Sequence, residues 1–166
     1  MHLKNIYDII KLQNNSTRRG AMYFFGKYNH QMDAKGRLRI PCKLKSTLGS
    51  DFIVSRGVGG CLFIFAPDKI EEIQHKLASI PFGDKQNQKT ARTFFASIDQ
   101  PEEDNQGRFI LDPSLRKFAD IKKGVVFVGV GNRIELWSEE RWNEYNNLDN
   151  PEAFDEAFVD LEKYGV

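Results

Sequence analysis

At 166 residues, with 40% apolar and 28% charged side chains, the chain is sized for one domain with a respectable core or for two half-size units sharing one. A formal net charge of +1 gives no global hint of nucleic acid, and no apolar run approaches the length of a membrane span. The two cysteines, Cys42 and Cys61, are too few for a disulfide framework and lack metal-ligand spacing, so both are expected to be small buried thiols.

The first 21 residues contain Ile9-Ile10 but no long apolar run followed by a small-residue cleavage site. No signal peptide is read there. The polar run Asn14 to Gly20 predicts a flexible extension over 1–21, with Met22 as the natural beginning. From Tyr23 to Met32 aromatic and polar residues mix in an extended pattern, and after Asp33-Ala34-Lys35-Gly36-Arg37 the residues Leu38 and Ile40 alternate with Arg37 and Arg39. The pattern predicts a hairpin: strand, tight turn, strand, with two cations near the tip. Pro41 can open a helix without losing a needed N–H, Leu44 and Leu48 share a face, and Gly49 stands where a C-terminal cap belongs. A second hairpin follows, with Phe52 to Ser55 and Cys61 to Phe65 flanking Arg56-Gly-Val-Gly-Gly60.

Pro67-Asp68 opens a helix with Ile70, Ile73 and Leu77 on one side, and a further helical stretch from about Lys85 carries Ala91, Phe94, Phe95 and Ile98. The first unit then recurs. Asp104 answers to Asp33, Gly107 to Gly36, Arg108 to Arg37 and Leu115 to Leu44, at one constant offset. Asp112 is an N-cap with Pro113 at the first helical position, and Val125 to Gly129 and Arg133 to Trp137 flank the turn around Val130 to Asn132. Each copy is therefore expected to be hairpin, short helix, hairpin. Four short strands cannot close their own sheet, so the copies must pair. Trp142, Tyr145 and Leu148 recur every three residues, and Asn150-Pro151 starts a last helix whose apolar face is Phe154, Ala157, Phe158, Leu161 and Tyr164. Such a face wants a surface, on its own chain or on a neighbouring subunit. The predicted division is 22–66 first repeat, 67–97 helical linker, 98–138 second repeat and 139–166 C-terminal helices.

The two copies differ in charge. Between Met22 and Ser46 stand Lys27, Lys35, Arg37, Arg39, Lys43 and Lys45 against Asp33 alone, whereas Asp99 to Asp120 holds Asp99, Glu102, Glu103, Asp104, Asp112 and Asp120 against Arg108, Arg116 and Lys117. Catalysis has little to stand on. Ser55, His30 and His75 lie in no nucleophile or metal motif, and the glycine-rich turns stop short of GxGxxG because Leu62 and Ile134 hold the last glycine's place. No catalytic residue, metal, cofactor or small-molecule ligand is expected.

The stretches GKYNHQMDAKGRLRIP, SRGVGGCLFIF, DNQGR and VGVGNRIELW closely resemble the MraZ family over Met22 to about Leu148. The resemblance implies an α+β, mainly β fold: tandem AbrB-like swapped-hairpin repeats forming a pseudo-dimeric barrel with flanking helices, assembled into a homo-oligomeric ring. It also implies a cytoplasmic, nucleoid-associated transcriptional regulator that binds short direct repeats of double-stranded DNA upstream of its own promoter, at the head of the division and cell wall genes. Carried over residue by residue, the DNA contacts are Lys35 and Arg37, with Arg39 and Lys43 on phosphates. Asp33 is expected to orient Arg37, Gly36 to shape the turn, and Asp104, Gly107 and Arg108 to serve as scaffold. One arginine on one guanine discriminates by about 1–3 kcal/mol, short of the roughly 4–10 kcal/mol of useful specificity, so several tips must act together. The competing reading is a ring-forming interaction module without specific DNA binding.

Overall fold

A computed structural model describes residues 23–146 and 149–166, so the extension expected over 1–21, with Met22, and Leu148 in the expected helical run lie outside the described residues. In chain order the elements are β1 (Phe24–Gln31), β2 (Arg37–Arg39), α1 (Cys42–Leu48), β3 (Ile53–Arg56), β4 (Leu62–Phe65), α2 (Pro67–Ala78) and α3 (Lys85–Phe95). The second half follows with β5 (Arg108–Ile110), α4 (Pro113–Phe118), β6 (Gly124–Gly131), β7 (Ile134–Ser138), α5 (Glu139–Tyr145) and α6 (Pro151–Glu162). Local chemistry sets the boundaries: Pro41 caps α1 and Gly49 closes it at φ 77, while the Asp112 carboxylate accepts from the N–H groups of Ser114 and Leu115 at the start of α4.

Strand pairing departs from the expected pattern. The second hairpin of each copy forms, β3 with β4 and β6 with β7, but β1 and β2 do not pair with each other. Instead β1 runs antiparallel to β6 from Phe24↔Gly131 to Gln31↔Gly124, and β2 pairs with β5 through Arg37↔Ile110, Leu38↔Phe109 and Arg39↔Arg108. The reason is the length of ladder each pairing allows and, for β2, burial. A three-residue β2 offers β1 almost no ladder and an isolated two-stranded hairpin is marginal in water, whereas crossing to the other copy gives β1 eight partners. Leu38 and Phe109 then lie side by side beneath the β2–β5 ribbon, each 1% exposed.

The result is a five-stranded antiparallel sheet in the order β1-β6-β7-β4-β3 and a separate two-stranded ribbon. The expected barrel does not close, because the sheet ends at β1 and β3. The segment of the second copy that answers to β1 is reduced to the single bridge Val54↔Asp99. There α3 runs on to Phe95, and Pro101 has no N–H to give to a ladder.

Both copies fill one core. Leu38, Ile40, Leu44, Phe52, Val54 and Ile64 pack with Phe109, Leu111, Leu115, Val125, Phe127 and Leu136, with Phe52 edge-on to Phe109 at 5.1 Å. The opposite face of the sheet carries Cys61, Val126 and Trp137 beneath Trp142 of α5, which Arg141 pins by donating from Nη1 to the carbonyls of Gly60 and Phe118. Cys61 is fully buried and its thiol is pushed up to about 12, chiefly by burial. Cys42 is exposed, against expectation, because at the first position of α1 it faces outward while its neighbour Pro41 is buried. Among the described residues no helix is long and apolar enough to cross a membrane.

Candidate nucleic-acid interface

Each Asp-x-x-Gly-Arg unit folds into the same small machine. In the first, Asp33 Oδ1 accepts from the N–H of Lys35 and of Arg37 at 2.9 Å each, and Oδ2 accepts from Arg37 Nε at 2.7 Å. In the second, Asp104 Oδ1 accepts from the N–H of Gln106 at 2.9 Å and of Arg108 at 3.0 Å, and Oδ2 accepts from Arg108 Nε at 2.8 Å. Both turns need a left-handed residue at the fourth position, supplied by Gly36 at φ 75 and Gly107 at φ 69. The Arg37 N–H, ahead of its guanidinium and the Lys35 N–H, holds the Asp33 carboxyl below the usual range. The Arg108 guanidinium, with backbone N–H groups behind it, brings Asp104 down to about 2. Each aspartate therefore faces its own turn and aims an arginine. Arg37 donates no hydrogen bond from Nη1 or Nη2 to any described residue.

What surrounds the turns differs. By the constant offset Lys35 answers to Gln106, Arg39 to Ile110 and Lys43 to Ser114, so the first copy has cations where the second is neutral. Lys27, Lys35, Arg39 and Lys43 are exposed, and among the described residues none of them has an ion-pair partner. Lys45 is different. It is bound to Glu103 of the other copy and lies over the Phe52 ring at 5.0 Å, so one of the six cations counted in sequence is neutralised at the seam between repeats.

The fold also brings in residues that sequence reasoning had assigned elsewhere. Because alternate residues of a strand share a face, Arg37, Arg39, Arg108 and Ile110 occupy the outer face of the ribbon while Leu38 and Phe109 point into the core. Arg39 stands directly opposite Arg108, two like charges at one register position. Arg116 approaches the first turn, where a side chain at Gly36 would meet its Nη1 at 3.8 Å. Its donors Nε and Nη2 go to the carbonyls of Ile121 and Lys122. The one legible signal for Arg116 was that it answers to Lys45 in the repeat.

Two intertwined repeats around one core, with a cationic two-stranded ribbon on the outside, define a tandem-repeat α+β protein whose exposed face suits a polyanion. The chain belongs to the MraZ family, whose model, described as antitoxin-like, matches residues 23–93 and 94–161. It is similar to the transcriptional regulator MraZ of Carboxydothermus hydrogenoformans, at 44% identity over 124 residues, 75% of this chain and 87% of that protein. It is also similar to the transcriptional regulators MraZ of Lactobacillus delbrueckii subsp. bulgaricus, at 42% identity over 84% of this chain and 96% of that one, and of Halothermothrix orenii, at 40% over 86% and 99%. These relatives are regulators of transcription.

Proposed function

We propose that this protein is a sequence-specific DNA-binding transcriptional regulator that controls its own division and cell wall gene cluster by binding short direct repeats as a ring. The observation that carries the reading is the outer face of the β2–β5 ribbon, where Arg37, Arg39 and Arg108 stand together beside the exposed Lys35. A two-stranded ribbon is narrow enough for the major groove, and moving exposed cations onto phosphates releases counterions. Across from Arg39, Arg108 is already paired with Asp104, so Arg39 is the cation of this register position left open to a phosphate. Arg37 is the base reader, aimed by Asp33, and Lys35, Arg39 and Lys43 hold phosphates. The second copy, with Asp104, Gly107 and Arg108, braces the ribbon, and the two repeats act as swapped-hairpin halves over 22–66 and 98–138 joined by the linker 67–97. Successive subunits of the ring meet successive repeats at high effective concentration. The protein acts in the cytoplasm on the nucleoid.

The test is a binding titration with a duplex from upstream of the protein's own gene against scrambled DNA, over a salt series. Wild type should prefer its own duplex with an affinity that falls steeply with salt. Arg37→Ala should lose about 1–3 kcal/mol of discrimination per engaged tip, whereas Arg108→Ala should lose much less. Equal losses would mean that the copies share the reading. No preference at any salt would leave a ring-forming interaction module instead.

A further inference from the structure

Of the amphipathic helices, α6 keeps its apolar face open in the single chain, while α2 and α3 leave theirs partly covered. In α6 every residue but Ala153 is exposed, including Phe154 at 52%, Phe158 at 49% and Leu161 at 42%. These three fall at i, i+4 and i+7, one stripe of an α-helix, and the Phe154 and Phe158 rings lie 6.0 Å apart. No residue of α2 is buried, and in α3 only Ala91 is.

Alongside α3 runs an apolar groove of about 570 Å³, floored by Phe63, Phe94 and Phe118 with Val58 at its edge and rimmed by Arg56 and Lys89. Its charge is the inverse of α6. From Lys85 to Phe95 the charges are Lys85, Lys89 and Arg92 with no carboxylate, while from Pro151 to Glu162 they are Glu152, Asp155, Glu156, Asp160 and Glu162 with no cation. At 100° per residue, Asp155 and Glu162 fall together on one flank of the Phe154–Phe158–Leu161 stripe, where a basic rim would meet them. Lys89 has no ion-pair partner among the described residues.

We infer that α6 of one copy docks in the Phe63–Phe94–Phe118 groove of the next copy, with Asp155 and Glu162 against Lys89 and Arg56. A chain that presents both a helix and its receptor, and leaves both open, joins head to tail, and a head-to-tail contact that closes makes a ring. The inference rests on the ring reading above and names the surface that builds it.

The experiment measures the mass of the full chain by light scattering, with circular dichroism as the check on folding. Wild type should be a multiple of the 19.1 kDa chain. Phe158→Asp, Lys89→Glu, and Asp155→Lys with Glu162→Lys should each fall toward 19.1 kDa. An equimolar mixture of an Arg56→Glu/Lys89→Glu chain with the Asp155→Lys/Glu162→Lys chain should move back toward the wild-type mass, since both kinds of interface in an alternating assembly then carry opposite charges. A monomeric wild type would overturn the ring reading itself. An oligomeric wild type whose mass none of these charge reversals changes would overturn only the groove assignment. If Lys89→Glu kept its mass but weakened DNA binding, α3 would belong to the nucleic-acid face and the inference would be wrong.

Discussion

The turns Asp33–Arg37 and Asp104–Arg108 are the same object stereochemically, with matching carboxylate hydrogen bonds and a left-handed glycine in each. Their surroundings are not the same. Lys35, Arg39 and Lys43 of the first have Gln106, Ile110 and Ser114 as counterparts, and the strand before the first turn pairs over eight residues while its counterpart keeps one bridge. The difference teaches that the aspartate–arginine pair is turn architecture, used twice, and that the surplus of exposed cations belongs to the surroundings of one copy.

Breaking the structural half of that difference should have the largest effect. At the Gly26↔Gly129 register β1 and β6 approach so closely that a Cβ on Gly129 would lie 2.3 Å from the Phe25 nitrogen, against backbone that cannot move aside. Gly129→Ala should therefore destabilise the fold by about 2 kcal/mol, read from the midpoint of denaturant unfolding. An unchanged midpoint would mean that β1 is not held to β6. The functional half is sharpened by giving the second turn a cation of the first. Gln106→Lys should steepen the salt dependence of DNA binding by about 0.9 per added phosphate contact, and no change in slope would place the second turn away from the duplex.

The smallest effect concerns what the turns share. Asp104 is depressed to about 2, so its contribution to the folded state is fully present above the ordinary value of 3.8 and is lost progressively as pH falls from there through about 2. A carboxyl NMR titration should give a midpoint near that value, and Arg108→Ala should raise it toward the ordinary 3.8. A wild-type midpoint near 3.8 would show that the guanidinium is not seated on the carboxylate in solution.

Much of the site was legible because its geometry is local. An aspartate capping its own turn, a glycine at positive φ and a proline opening a helix act within five residues, and the chain states them twice. Charge at Lys35, Arg39 and Lys43 was legible too, since an exposed cation with no neighbour keeps its charge. Lys45 was misjudged because its partner, Glu103, lies 58 residues away across the seam. Cys42 was misjudged because burial depends on which side of a short helix meets the core.

By itself the sequence determined the duplicated unit, its turns and caps, and which copy carries the surplus of cations. Only the tertiary structure decided that β1 crosses to β6 and β2 to β5, that the barrel stays open at β3, and that Arg108 comes to stand opposite Arg39. A ladder can form between any two strands, so partners are chosen by how long a ladder each pairing allows, as for β1, and by which apolar side chains it buries, as for β2 and β5. That choice is a property of the whole core and of no single stretch of chain.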